Sequence, residues 1–255
     1  MRVEPKPIIG ILAFLMYIGI IAAITVFIGP DYDEVAASTE NILNGVVIPV
    51  GAATVGIVAL TSYLGWWGPA LRDRHRAPAW TIIVPLIMLA MVVFNLVETD
   101  FGQLETSYLL VLAVGMLLVG LGEELTTRGV LLVSMRGRSN EFVAWLVSTV
   151  CFGLMHTLNF FFGQDLGPTL QQVALTMLYG TGFYILRRAT GSLIWPMLLH
   201  AVWDFSVFVN GEAGELPAMN SLLTLVLYVA LPLALIWAIK GAKERLDRVP
   251  EPATA

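Results

Sequence analysis

The hydrophobic residues of this chain fall into long runs, and the polar residues lie mainly in the short segments between them. Runs of about 18 or more mostly apolar residues are typical of helices that cross a membrane. Eight such runs are present, over residues 8–28, 42–66, 79–97, 107–133, 141–161, 166–186, 190–209 and 221–239. The pattern predicts an all-α fold, a polytopic membrane helix bundle of about eight transmembrane helices.

The composition agrees with a lipid environment. Hydrophobic residues make up 57% of the chain and charged residues 13%, against about 25% charged residues in soluble domains. The single cysteine, Cys151, has no partner for an internal disulfide and is interpreted as a small core residue. No basic stripe indicates nucleic-acid binding. We expect one membrane domain over residues 1–245, with its motif core at 107–210, and a disordered cytoplasmic tail at 246–255.

The loops between the runs alternate in charge. Lys and Arg accumulate in cytoplasmic loops, and here they follow the second, fourth, sixth and eighth runs, whereas the other loops are acidic or neutral. This alternation predicts a multi-pass protein of the cell membrane with both termini in the cytoplasm and its basic charge facing anionic lipid. The basic residues concerned are Arg72, Arg74, Arg76, Arg136, Arg138, Arg187, Arg188, Lys240, Lys243, Arg245 and Arg248.

A few ionisable residues lie inside the apolar runs, and the densest group is in "LVGLGEELTTRGVLL", residues 118–132. Such a residue costs about 2.5–3.5 kcal/mol at the centre of a membrane helix, so it indicates function by default. The sixth run carries only neutral Gln171 and Gln172, interpreted as interhelical hydrogen-bonding residues. The ionisable residues at depth are Glu123, Glu124, Arg128, His156, His200 and Asp204.

The spacing of these residues pairs some of them on helix faces, because residues four apart are neighbours on a helix. Glu124 and Arg128 form such a pair and can neutralise each other. Glu123 then lies about 100° round the helix without a partner of its own. Asp204 lies one turn from His200 and can orient its imidazole. Phe152 is placed in the same way below His156.

Two chemistries remain open for Glu123, His156 and His200. A glutamate with two histidines can activate water and stabilise an oxyanion. The same three side chains can also bind zinc as a His₂Glu set with one open position. Against zinc, the chain has no H-E-x-x-H motif. If Glu123 were a zinc ligand, no free carboxylate would remain as the base. No cofactor is therefore expected, and zinc is the alternative.

Straight, upright helices would not bring these residues to one depth. With a rise of about 1.5 Å per residue, His156 lies roughly 27 Å beyond Arg138, whereas His200 lies roughly 18 Å beyond Arg188. We nevertheless expect Glu123, His156 and His200 to converge near the middle of the membrane, because membrane helices tilt by about 20° on average and the fifth helix can begin later than its apolar run.

Three motifs follow one another in the second half of the chain. "EELTTR" fits E-E-x-x-x-R, "FGLMH" fits F-x-x-x-H and "HAVWD" fits H-x-x-x-[N/D]. In this order, within membrane helices, they resemble the CPBP family of CAAX proteases and bacteriocin-processing enzymes, which includes the Ras-converting CAAX endopeptidase. The motifs extend over about residues 110–210.

The resemblance implies an intramembrane endopeptidase that hydrolyses membrane-tethered proteins or peptides, with prenylated CAAX proteins as one substrate class. By this resemblance Glu123 is the base that activates water, and His156 and His200 shape the oxyanion hole. Asp204 stands where the Ras-converting members carry asparagine. Glu124, Arg128 and Phe152 are supporting residues.

Two functions of other classes are weighed against the protease. Glu, His and Asp chains also relay protons in coupled transporters, but transporters favour repeats and broken helices in both halves. In this chain the buried charges lie in one half only. The other alternative is a non-catalytic membrane scaffold or bacteriocin-immunity protein, and the three intact motifs argue against it.

Overall fold

A computed structural model describes residues 1–215 and 217–240, and within them every regular element is helical. The all-α bundle predicted from the apolar runs is confirmed. Besides the short 3₁₀ turns Tyr32–Glu34 and Phe101–Gln103, the helices of the described residues are α1 Pro7–Ile28, α2 Thr39–Leu64, the short α3 Trp67–Leu71, α4 Ala79–Val97, α5 Thr106–Arg136, α6 Glu141–Met155, the short α7 Leu158–Phe161, α8 Leu166–Thr190, α9 Ile194–Ala213 and α10 Ala218–Lys240.

Each of the eight predicted runs coincides with a long helix, but the count of eight membrane spans is not confirmed. Within the described residues, six helices are long and apolar enough to cross a membrane, namely α1, α2, α4, α5, α10 and the segment Glu141–Phe161 that contains α6 and α7. α8 and α9 fall outside this group because they carry many of the polar side chains of the second half, among them Gln172, Arg187 and His200.

Helix ends follow local chemistry. Asn140 caps α6, its side-chain oxygen accepting from the backbone N–H of Val143 at 3.0 Å, a usual N-cap arrangement. α8 ends at Thr190, and the following Gly191 has a left-handed φ of 71°, a conformation that favours glycine. Two helices contain a π-helical stretch, Leu43–Val47 in α2 and Leu125–Leu131 in α5. The second begins directly after the glutamate pair, and π turns are frequent at functional sites.

α5 lies at the centre of the bundle. It packs against α2 and α9, and its π-helical stretch also contacts α1 and α6. α8 packs against α6, α9 and α4. Of the three motif-bearing helices, α5 therefore contacts both α6 and α9, and α8 packs against the same two helices, so these four helices surround a common interior.

The basic loops gather at one end of the bundle, but not all of their arginines face lipid. Asp73, in the loop after α3, binds Arg136, Arg187 and Arg188, each at 2.8 Å. Arg187 and Arg188 are fully buried and Arg136 is 6% exposed. Together with Glu141, which binds Arg136 at 2.6 Å, these residues form the Asp73 cluster. The expectation that these three arginines face anionic lipid is wrong, because a buried carboxylate holds them inside the protein.

The expected tail at 246–255 and the basic residues Lys243, Arg245 and Arg248 lie outside the described residues.

Candidate active site

The glutamate pair lies at the junction between the α-helical and π-helical parts of α5. α-Helical geometry ends at Glu124, and the π-helical stretch begins at Leu125. Side-chain hydroxyls bond the carbonyls at this junction: Thr127 Oγ1 donates to the Glu123 carbonyl at 2.6 Å. The backbone that carries both glutamates is thus held by threonines of the same helix.

Glu124 and Arg128 form the ion pair that their spacing predicts. The Arg128 Nη1 to Glu124 Oε1 distance is 2.7 Å, and both side chains are fully buried. The Arg128 guanidinium also lies 3.8 Å from the centre of the Phe152 ring, a cation–π contact. An isolated charge here would be very unfavourable, so the pair and the aromatic face together keep Arg128 in the interior.

His200 lies between carboxylates on both sides of its ring. Its Nδ1 is 3.1 Å from Glu124 Oε1, and its Nε2 is 3.3 Å from Asp204 Oδ2. The contact with Asp204 agrees with their one-turn spacing. The contact with Glu124 joins residues of two helices that are 76 positions apart in the sequence. Residue spacing within one helix cannot predict such a contact.

Glu123 reaches the same imidazole from the other side. Its Oε2 lies 3.9 Å from His200 Nε2. Glu123 and Glu124 leave α5 in different directions, as their adjacent positions predict. Both carboxylates nevertheless lie beside the His200 ring, Glu124 at Nδ1 and Glu123 at Nε2. Within the described residues, Glu123 Oε2 is buried and has no hydrogen-bond partner. This carboxylate oxygen, like Glu124 Oε2, therefore has acceptor capacity left for a bound molecule. We refer to Glu123, Glu124, Arg128, His200 and Asp204 as the His200 cluster.

His156 joins the site because α6 is shorter than its apolar run. The His156 Nδ1 lies 2.9 Å from the Phe152 carbonyl, and the backbone N–H of His156 bonds Gly153 instead. The side chain thus takes the carbonyl that would continue the α-helix, so α6 ends at Met155. His156 lies in the turn before α7, which explains how a residue so far along the run can approach the others.

Two phenylalanines arrange the rings of the site. The Phe152 ring is 5.4 Å from the His156 ring and 5.6 Å from the His200 ring, both edge to face. Phe183 of α8 stacks on His200 at 4.7 Å with an interplanar angle of 22°. Phe152 was expected from its spacing to His156. Phe183 was not, since an apolar residue in an apolar run carries no distinguishing signal.

A polar chain links α7 and α8 with the loop after α1. Asn159 Nδ2 donates to Gln172 Oε1 at 2.9 Å, and Gln172 Nε2 donates to the Tyr32 hydroxyl at 2.9 Å. Burial and the negative charges of Asp204 and Glu123 raise the pKa of Tyr32, although its bond from Gln172 lowers it. Gln172 therefore makes the interhelical bonds that its position predicts, and it does so close to the His200 cluster.

The donor atoms do not form a metal site in these positions. Over residues 1–215 and 217–240, no group of three or more His, Cys, Asp and Glu side chains could hold a metal ion. Glu124 is bonded to Arg128, and His156 directs Nδ1 to a backbone carbonyl. The residues Glu123, His156 and His200, proposed as ligands under the zinc alternative, do not fit that role as they stand.

Residues 105–206 match the model of a protein family described as type II CAAX prenyl endopeptidase Rce1-like. The match covers less than half of the chain, and it contains all three motifs. It confirms the resemblance to the CAAX proteases and, with the six apolar helices, supports an integral membrane protein related to a family of proteases. No curated protein and no solved structure matched the chain.

Proposed function

We propose that this protein is an intramembrane endopeptidase in which Glu123 activates water to hydrolyse a peptide bond of a membrane-tethered protein or peptide. The observation that carries the proposal is the position of the Glu123 carboxylate. It is buried, its Oε2 has no hydrogen-bond partner within the described residues, and that oxygen faces the Nε2 edge of His200 at 3.9 Å.

The directions of their hydrogen bonds suggest different catalytic roles for His156 and His200. A backbone carbonyl only accepts, so His156 Nδ1 donates to Phe152, and the Nε2 of a neutral ring is left as an acceptor. We place His156 Nε2 beside Glu123 at the water. This differs from the oxyanion role that the family resemblance implies for His156.

His200 is suited to the oxyanion. Glu124 is paired with Arg128 and accepts only, so Nδ1 of His200 carries a hydrogen; the Asp204 carboxylate at Nε2 favours a second one. With hydrogens on both nitrogens, His200 can donate its Nε2–H to the carbonyl oxygen of the substrate. This hydrogen bond replaces the one to Asp204 or is shared with it. Donors held in advance at the developing charge are a major source of catalysis.

The reaction follows in two steps. Glu123 takes a proton from water while the water oxygen bonds the scissile carbonyl carbon, and the carbonyl electron pair moves to the oxygen held by His200. The tetrahedral adduct then collapses, the C–N bond breaks, and the proton held by Glu123 passes to the leaving amine. The products are a carboxylic acid and an amine, which at neutral pH exchange a proton to become a carboxylate and an ammonium group, and no external oxidant or reductant is needed.

We further propose that the reaction needs no metal or other cofactor. The support is the commitment of Glu124 to Arg128 and the absence of a metal-holding side-chain group within the described residues. Purified protein is expected to contain far less than one zinc per chain and to keep its activity after chelation. Loss of activity on zinc removal, restored by zinc, would overturn this part.

Location and orientation also stay proposals. We place the protein in the cell membrane with both termini in the cytoplasm. The support is that the N-terminal residues and three basic loops meet at one end of the bundle: Arg138 binds Glu4 at 2.7 Å, and Asp73 binds the arginines of the other two loops.

The test is hydrolysis of membrane-tethered peptides by the purified full chain in liposomes. Glu123→Gln keeps the size of the side chain but removes the base, and we expect the rate to fall by about 10²–10⁴-fold. Glu98→Gln, at the exposed end of α4, removes a carboxylate away from the site and serves as the matched control. Near wild-type cleavage by Glu123→Gln would disprove the assignment. Farnesylated and unlipidated versions of one peptide show whether a prenyl group is required.

A further inference from the structure

The Asp73 cluster contacts the backbone of the candidate active site through the side chain of Arg187. Its Nε and Nη2 donate to Asp73 Oδ1 at 3.1 and 2.8 Å. Nη2 also donates to the Pro69 carbonyl at 2.8 Å, and Nη1 donates to the Ala70 carbonyl at 2.9 Å. The remaining bond runs from Nη1 to the carbonyl of Arg128. These five bonds equal the five N–H donors of a guanidinium.

The carbonyl that Arg187 binds belongs to the π-helical stretch Leu125–Leu131. π turns are rare and occur mostly as single turns inside α-helices. Ser148 of α6 donates to the neighbouring Thr127 carbonyl at 2.9 Å, and it is buried. Two carbonyls in a row are therefore bonded by side chains from two other helices, α6 and α8, and this stretch is tied to its neighbours at its centre.

Arg128 links this support to the chemistry. Its backbone carbonyl receives the bond from Arg187, while its guanidinium binds Glu124 at 2.7 Å. Glu124 in turn lies 3.1 Å from His200 Nδ1. A displacement of the backbone at residue 128 would therefore displace the partner of Glu124 and, one turn earlier, Glu123.

We propose that Arg187, together with Ser148, is a positioning residue that holds the π-helical stretch of α5 so that Glu123 and Glu124 flank His200. The inference rests on the proposed function for its catalytic readout. Arg187 touches no reacting atom and acts through Arg128. The Asp73 carboxylate, bonded by three arginines, holds the Arg187 guanidinium in the orientation that this bond requires.

The test compares Arg187→Lys with Arg136→Lys in the purified full chain. Both changes keep the charge in the Asp73 cluster. Lysine carries its donors on one nitrogen and cannot span Asp73 and the Arg128 carbonyl as the guanidinium does. The Arg136 guanidinium donates to Asp73 and Glu141 rather than to the π-helical stretch, so Arg136→Lys is the matched control for weakening of the cluster.

For Arg187→Lys we expect kcat to fall by about a hundredfold, the size of effect produced by a misplacement of about 1 Å, with KM nearly unchanged. Hydrogen exchange of the backbone amides of residues 125–131 should become faster. Arg136→Lys should change neither. Equal losses in both variants, or wild-type kcat in Arg187→Lys, would overturn the proposal.

Two further experiments distinguish failure of this inference from misfolding of Arg187→Lys and from failure of the proposed function. If Arg187→Lys does not fold, Ser148→Ala carries the test, because it removes only the donor to the Thr127 carbonyl; an unchanged kcat and unchanged exchange would overturn the inference. If the wild-type chain cleaves no peptide, the proposed function fails, and the exchange rates of residues 125–131 in the variants still decide whether Arg187 holds the stretch.

Discussion

Two groups of charged side chains are buried in this bundle, and they differ in how completely their hydrogen-bonding capacity is used. In the Asp73 cluster both carboxylate oxygens of Asp73 accept from guanidiniums. In the His200 cluster, within the described residues, Glu123 Oε2, Glu124 Oε2 and two nitrogens of Arg128 have no hydrogen-bond partner. Apart from Asp204, which is partly exposed, the charged side chains of both groups are largely buried, so burial alone does not separate them.

The difference indicates what each group is for. A buried charge without partners is costly, and a saturated cluster removes that cost by giving every charge a partner. The Asp73 cluster is thereby suited to fixing loops and helix ends. The His200 cluster keeps acceptor and donor atoms unsatisfied at one place in the interior, which is where a water or a substrate carbonyl can bind. Unsatisfied groups of this kind are expected at sites of reaction.

The largest expected effect tests whether the full set of partners in the Asp73 cluster stabilises the fold. Asp73→Asn removes the charge that compensates the three arginines, and we expect the free energy of unfolding to fall by about 3–5 kcal/mol at neutral pH. Glu123→Gln, which removes a carboxylate with an unpartnered oxygen, should leave stability unchanged or higher. Thermal unfolding of both variants in the same detergent measures the contrast. Equal destabilisation by both would remove the distinction between the two clusters.

The pH dependence sharpens this prediction. Burial alone would raise the pKa of Asp73, but the charges of Arg136, Arg187 and Arg188 hold it well below its ordinary range. A carboxyl with a depressed folded pKa stabilises the protein above its unfolded pKa of about 3.9 and loses that contribution as pH falls through the folded value. The gap in stability between wild type and Asp73→Asn should stay constant from about pH 8 to pH 5 and narrow only below about pH 4. A gap that closes near neutral pH would contradict this sign.

An intermediate effect concerns the distance between the helices that carry the His200 cluster. A Cβ at Gly120 of α5 would lie 2.9 Å from the backbone nitrogen of Ala201 in α9 and closer still to the Met197 carbonyl. These atoms cannot move without their helix, so Gly120→Ala must separate α5 from α9 and carry Glu123 away from His200. We expect a loss of about 1–3 kcal/mol in stability together with reduced kcat.

Gly19→Ala is the control for this change, because a Cβ at Gly19 of α1 meets no atom within 4 Å. It should raise stability slightly, by about 0.4–1 kcal/mol, and leave kcat unchanged. Wild-type kcat in Gly120→Ala would show that the approach of α5 to α9 does not set the geometry of the site.

The smallest effect is expected at Asp204, whose side chain is 26% exposed. In Asp204→Asn the amide oxygen can still accept from His200 Nε2, and the amide N–H can donate to the oxyanion, so we expect cleavage to stay within about tenfold of wild type. Asp204→Leu, of similar volume but without an acceptor, should lose more. If Asp204→Asn were as inactive as Glu123→Gln, the carboxylate charge itself would be required.

Features that depend on neighbours in sequence were predictable. The apolar runs predicted every long helix, because a membrane requires about 20 apolar residues per helix whatever their order. The pairing of Glu124 with Arg128 and of His200 with Asp204 followed from the helical repeat, and both contacts are present in the structure. The three motifs indicated residues of the candidate site for the same reason. Each motif is at most six residues long and lies within one helix or at its end.

Contacts between helices were decided only in the folded bundle. Glu123 and Glu124 meet at the imidazole of His200 because α9 packs against α5 at the point where α5 changes from α-helical to π-helical form. The sequence of α5 alone does not indicate this packing. α6 ends early because the His156 side chain takes a backbone carbonyl. Arg187 and Arg188 resemble loop charges in the sequence, but a carboxylate more than a hundred residues away binds them in the interior. The physical reason is the same in each case: helical periodicity fixes which side chains share a face, whereas packing fixes which faces meet.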